Sequence, residues 1–295
     1  MKTVFCKFVS IIGIAVVCAS CVRICPIRGN GDLVTFEKSV STFEKIKSSG
    51  AAEIRYHASE EYRVVVTVDS NLEEYVEIFA KNNVLHIGTE NSWGNSWYSF
   101  TKYLVDVYCP VLKSITLSGS GSLQGVDEII APIFEAVVSG SGKIDGTVVC
   151  DNFSVEISGS GKITVDGTSR DADISISGSG KFSGNDFITK NASINISGSG
   201  KANICVTDNL DATISGSGEI NYCGQPKILS KISGSDRIRK HGKLRIKKQS
   251  RQAMSGSKLI KILYTFAILI MSANTPAAVT SAPAQYPLMT IGSSK

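Results

Sequence analysis

A chain of 295 residues, 42% hydrophobic and 19% charged, can bury its core as one elongated domain or as two compact ones. Its formal net charge of +5 is unevenly spread: eleven Lys and Arg and no acid follow from Arg237 onward, leaving 20 basic against 26 acidic residues in positions 1–236. The body is therefore acidic, which excludes the basic footprint that grips phosphate backbones and, with it, a nucleic-acid partner for the body.

The first segment, "MKTVFCKFVSIIGIAVVCASC", places Lys2 and Lys7 ahead of a short apolar run, Val9 to Val17. Such a run is too short to span a membrane as a helix and reads as an export signal over 1–20. It ends in Ala19-Ser20-Cys21, small residues before a cysteine, as in a bacterial lipobox. Cys21 is then the lipidated N-terminus and acyl chains hold the protein at a membrane surface. Cys18 departs from that pattern where a Leu-like residue is usual, so an ordinary cleaved secretory signal and an uncleaved anchor are the other readings. Residues 21–42 read as a linker.

Ahead of a repeated motif, β-branched and aliphatic residues alternate with polar ones, as in "FSVEISGSG" and "NASINISGSG", and this period of two predicts strands. Ser-Gly-Ser-Gly then recurs at Ser118, Ser139, Ser158, Ser177, Ser197 and Ser215, at intervals of 21, 19, 19, 20 and 18 residues, with a degenerate copy at Ser233. A near-constant period of this size predicts a solenoid. Ile157, Ile176, Ile196 and Ile214 share one register, with Val155, Ile174 and Ile194 two residues earlier. Coils of 18–21 residues leave no room for a crossover helix, so the fold class is all-β: a single-stranded parallel β-helix with SGSG-containing coils, capped by the N-terminal strands. If alternation holds through the motif, both glycines face inward and both serines outward, where the hydroxyls can hydrogen-bond from coil to coil; a bend at either glycine would instead reverse one serine. Within this stacking Cys205 and Cys223, each eight residues after the Ser of its own motif, fall on adjacent coils about 4.8 Å apart, which fits a structural disulfide or a stack of buried thiols.

These residues resemble a known family, the auto-transporter adhesins with a head GIN domain. The similarity begins at "FEKIKSSGAAEIRYHASEEYRVVVTVDSNLEEYVEIFAKNNVLHIGTE", continues through "YLVDVYCPVLKSITLSGSGSL" and runs on through the repeats to about Lys240. It implies a β-solenoid over 43–240 on the cell envelope and brings no catalytic residue with it.

Residues 241–295 depart from the pattern: a basic stretch, an apolar run from Ile262 to Met271, then a polar end with Ala and Pro. A cap on the solenoid, a membrane-associating tail and a disordered extension all fit this composition.

The sequence offers little for catalysis. His57, His86 and His241 lack companions at metal or triad spacing, the cysteines lack zinc spacing, and SGSGK is followed by strand where a phosphate loop needs a helix. No metal, cofactor or catalytic residue is expected. An enzyme reading, a polysaccharide lyase using calcium-bridged carboxylates, would draw on Asp145, Asp166, Asp171, Asp173 and Asp186, which sit at turns in different phases of their coils. More distinctive is the column four residues after each motif start: Ser122, Lys143, Lys162, Lys181, Lys201, Glu219 and Arg237. Its four lysines serve either as a charged face that keeps an exposed β surface soluble or as a site for an anionic partner. The expectation is thus a non-enzymatic, exported lipoprotein at the bacterial outer membrane or cell surface, adhesin-like or purely structural, meeting an extracellular glycan or another surface polymer through Lys143, Lys162, Lys181 and Lys201.

Overall fold

The computed structural model describes residues 26–90, 98–234 and 237–241. Cys21, the signal segment and the chain beyond residue 241 lie outside the described residues.

Two parallel walls of stacked strands are joined at each coil by the Ser-Gly-Ser-Gly corner. The first wall runs in register from Lys45–Gly50 through Ser114–Gly119, Ile133–Gly140 and Asn152–Gly159, then through residues 171–178, 191–198 and 209–216, to Lys227–Gly234. The second runs from Glu53–Ala58 through Ser122–Gly125 and Lys143–Val149, then 162–168, 181–189 and 201–206, to Glu219–Gly224 and Arg237–Lys240. The expected alternation is present: Ile157, Ile176, Ile196 and Ile214 stack in one buried column, and Val155, Ile174 and Ile194 in the next. Phe134 and Phe153 stack with ring centroids 6.1 Å apart, and Phe187 packs on Phe153 at 4.9 Å. Aromatic pairs at such distances add to what burial alone contributes.

The corner differs from a simple alternation. Only the second glycine of each motif is buried; the first lies at the turn itself. Gly119, Gly140, Gly159, Gly178, Gly198 and Gly216 all have φ between 111° and 134°, a region closed to other residues without strain. The serine hydroxyls of the motifs form no hydrogen bonds with one another among the described residues, contrary to expectation. The backbone does the stitching: Ser141, Ser160, Ser179, Ser199 and Ser217 each donate their N–H to the first glycine's carbonyl one coil back, at 2.9 Å. Side-chain ladders are made elsewhere by amides, with Asn191 donating to Asp171 at 2.8 Å and Asn209 to Asn191 at 2.7 Å.

At the N-terminal end the solenoid starts earlier than the SGSG copies indicate. Lys45–Gly50 and Glu53–Ala58 are themselves a coil, with Ser49-Gly50 aligned on Ser118-Gly119. The cap is built from the strands between that coil and the next. Val84–Thr89 pairs with the first wall and carries Val76–Lys81 antiparallel on its outer side. Tyr103–Cys109 pairs with the second wall and carries Arg63–Asp69, followed by Leu33–Lys38. Leu33–Lys38 and the short strand Ile27–Arg28 correct the reading of 21–42 as a linker. A 3-10 turn, Ser70–Tyr75, buries Leu72 in the core.

Asp69 ties this cap together. Its side chain is fully buried and accepts hydrogen bonds from the backbone N–H groups of Gly31 at 2.9 Å, Thr101 at 2.7 Å and Lys102 at 3.4 Å. Burial pushes the carboxyl up, but the backbone donors together outweigh it and hold the group below its ordinary value. With the folded value depressed, the stabilisation is complete above the unfolded carboxylate range and is lost as pH falls through the lower folded value. Asp69→Asn is therefore expected to lower the melting temperature at neutral pH and to narrow the difference between mutant and parent on acidification. Parallel melting curves at every pH would show that the Asp69 charge does not hold the cap.

Candidate functional site: a lysine column on the second wall

The register of the second wall places the predicted column in a line. Ser122 pairs with Lys143, Lys143 with Lys162, Lys162 with Lys181, Lys181 with Lys201, Lys201 with Glu219 and Glu219 with Arg237. Each of the four lysines follows a buried glycine and donates its backbone N–H to the equivalent glycine of the coil before, for example Lys181 to Gly161 at 2.9 Å. The corner thus fixes where the lysines emerge, and parallel strands set their spacing at roughly 4.8 Å.

The four lysines are not equivalent. Lys143, Lys162 and Lys181 are exposed, and among the described residues no carboxylate lies within ion-pair distance of them. Lys201 is partly buried and bonds Glu219 at 2.8 Å, which holds the Glu219 carboxyl below its ordinary value. The sequence showed both members of this pair in one column, one coil apart, and that adjacency could have revealed their mutual neutralisation. What remains is a free basic stripe three coils long, on a body whose charge is net acidic.

Other candidate residues stand apart. Asp145 aligns with Thr164, Asp166 with Thr147, Asp171 with Asn152 and Asn191, and Asp173 with Ser154 and Ser193. No two of these acids therefore stack, and Asp171 is already bonded to Arg170 at 2.8 Å. Among the described residues no group of three or more His, Cys, Asp or Glu could hold a metal ion. His57 bonds Asp106 at 3.0 Å and stacks on Tyr108, while His86 stacks on Phe79. Cys205 and Cys223 are joined by a disulfide between adjacent coils, Cα atoms 4.4 Å apart. Cys109 and Cys150 are free, and burial pushes each thiol up to about 12, with a smaller push from Glu44 and Asp151 respectively. Protonated thiols of this kind are poor nucleophiles.

A second feature escaped the sequence reading. On the first wall a groove of about 560 Å³ is lined by Ile133, Phe153, Asn152, Asp171, Asn191 and Asp211, among others. It follows two outward columns of short polar residues, Asn152-Asp171-Asn191-Asn209 and Ser154-Asp173-Ser193-Asp211, over the strand backbones, so its sequence signal is the repetition of small polar residues at two equivalent positions per coil.

A parallel β-solenoid capped by antiparallel strands, with a periodic charged stripe on its second wall, places the chain among the β-solenoid repeat proteins. The chain belongs to the family described as "Putative auto-transporter adhesin, head GIN domain", whose model matches residues 42–226. Among solved structures it is similar to one titled a putative lipid binding protein from Parabacteroides distasonis, at 29% identity and a TM-score of 0.64, covering 74% of this chain and 100% of that one. It is also similar to a putative adhesin from Parabacteroides merdae, at 27% identity and a TM-score of 0.60, covering 73% and 99%. A putative adhesin from Bacteroides fragilis shares the fold at 22% identity and a TM-score of 0.69, covering 73% and 100%. No curated protein sequence matches the chain.

Proposed function

We propose that the protein is a non-enzymatic, envelope-displayed adhesin-like module that binds an extended anionic polymer, such as an anionic glycan, along Lys143, Lys162 and Lys181. The observation that carries this reading is the register of these exposed lysines on three consecutive coils of a rigid wall. One ammonium on a surface contributes little, but several held at a fixed repeat engage a polymer together. Lys201, tethered by Glu219, contributes least. The adhesin descriptions of the family and of its structural relatives support surface display.

The test is a glycan array followed by titration of any hit at rising salt. Lys143, Lys162 and Lys181 replaced together by Gln should weaken binding roughly three- to hundredfold, from about 0.2–1 kcal/mol per exposed ion pair, while Lys201→Gln changes it little. Affinity of the parent should fall as salt shortens the screening length to about 8 Å and below. Unchanged binding in the triple variant, with an unchanged melting curve, would reduce the stripe to a solubility device.

Attachment to the envelope through acylated Cys21 is part of the same proposal, supported by the Ala19-Ser20-Cys21 ending of the apolar signal. Cys21→Ser should move the protein from the membrane fraction to the soluble fraction. Membrane recovery unaltered by that change would refute lipidation as the anchor.

A further inference from the structure

Among the described residues the first wall carries an unpaired strand edge at each end. At the C-terminal end Lys227–Gly234 pairs, among the described residues, on one side only, with residues 209–216, and every residue in it is exposed. Ile228 and Ile232 continue the buried columns of Leu210 and Ile214 yet are 43% and 48% exposed, and Leu229 is 70% exposed. At the N-terminal end of the same wall Val76–Lys81 pairs on one side only, with Val84–Thr89. It turns Val76 and Ile78 into the core and leaves Glu77 and Phe79 outside. Unpaired strand edges of this kind are templates for another strand.

The two edges are complementary. Residues 227–241 hold Lys227, Lys231, Arg237, Arg239 and Lys240 against a single acid, Asp236, whereas residues 70–81 hold Glu73, Glu74 and Glu77 against Lys81. Two C-terminal ends brought face to face would set cation against cation, so a symmetric pairing of like ends is disfavoured. Head-to-tail stacking along a common axis instead sets basic edge against acidic edge. It also fixes the strand direction: the first-wall strands are parallel to Val84–Thr89, so Lys227–Gly234 of one copy meets Val76–Lys81 of the next antiparallel. In the register that places Leu229 opposite Phe79, Lys231 falls opposite Glu77, Ile232 opposite Val76 and Ile228 opposite Ala80. Apolar residues then meet on both faces and the central charges are opposed; the like pair, Lys227 opposite Lys81, falls at the frayed end.

We propose that this edge pair is a head-to-tail interface, through which copies of the chain add to one another's first wall to form rods. A heterologous contact whose operator lies along the solenoid axis does not close into a ring. The inference is independent of the lysine stripe on the second wall.

The test uses the full chain in mild detergent, by sedimentation velocity and negative-stain electron microscopy over a range of concentrations. Concentration-dependent rods are expected. Within one copy Glu77 and Lys231 lie on the outermost of ten stacked strands, roughly 43 Å apart at about 4.8 Å per step, so a charge effect between them is intermolecular. Glu77→Lys and Lys231→Glu should each weaken assembly about tenfold by opposing like charges, and the two reversals combined in one chain should restore it. Association through apolar termini alone would ignore these changes. If a reversal lowers the melting temperature, Leu229→Ser serves instead and should weaken assembly in the same way. A monomer at all concentrations, assembly indifferent to the single reversals, or no restoration in the double variant would overturn the proposal.

Discussion

Gly178→Ala is expected to destabilise the solenoid by on the order of 3 kcal/mol or more, while Gly50→Ala, at the same corner of the first coil, costs distinctly less. Both glycines have φ in the positive region, 111° and 101°, so both substitutions carry conformational strain of about 1–3 kcal/mol. They differ in what lies beneath. A Cβ on Gly178 would stand 2.7 Å from the carbonyl oxygen of Gly159, whereas a Cβ on Gly50 meets nothing within 4 Å. That carbonyl cannot withdraw cheaply, because it also accepts the N–H of Ser179 that stitches the two coils together. The difference between the two variants in chemical denaturation therefore isolates the stacking contribution from the torsional one. Equal losses would mean that the corner glycines are needed for their torsion alone.

The same corner shows how far the sequence could be read. The period, the aliphatic columns and the lysine register follow from spacing because a parallel stack converts equal separations in the chain into neighbours in space. The first coil escaped because its corner is spelled Ser49-Gly50-Ala51-Ala52: the second glycine is needed only where the neighbouring coil crowds it, and at the start of the stack Ala52 fits, fully buried. The serine hydroxyl ladder failed for a related reason. A glycine with positive φ breaks the alternation that would have aimed both serines along one face. Leu33–Lys38 gives little sign of a strand in the sequence because it lies on an edge, paired on one side with Arg63–Asp69 far along the chain. The groove on the first wall follows two columns of outward short polar residues, which periodicity marks only as outward. The lysine stripe was legible in its alignment, and so was the adjacency of Lys201 and Glu219, to which the structure adds the 2.8 Å contact.

Reduction of the Cys205–Cys223 disulfide is expected to lower stability by about 3 kcal/mol, the loop-closure value for a separation of 18 residues. The two cysteines lie in register on adjacent strands whose backbones remain paired without the covalent bond. Reduction should therefore leave the strand signal in circular dichroism intact at low temperature and shift the unfolding transition downward. The bond joins the two second-wall strands that precede the last described one, close to the end where Ile228, Leu229 and Ile232 of the first wall are exposed and fraying is cheapest. Hydrogen exchange should accordingly show the largest loss of protection in residues 201–240, with the coils around Phe134 and Phe153 little changed. The free thiols offer an internal control: Cys109 and Cys150, each pushed up to about 12 by burial, should resist alkylation in the folded state whether or not the disulfide is intact. Such a bond persists only in an oxidising compartment, so its presence in protein isolated from cells would also bear on export. Identical unfolding transitions with and without reductant would assign the end of the solenoid to strand pairing alone.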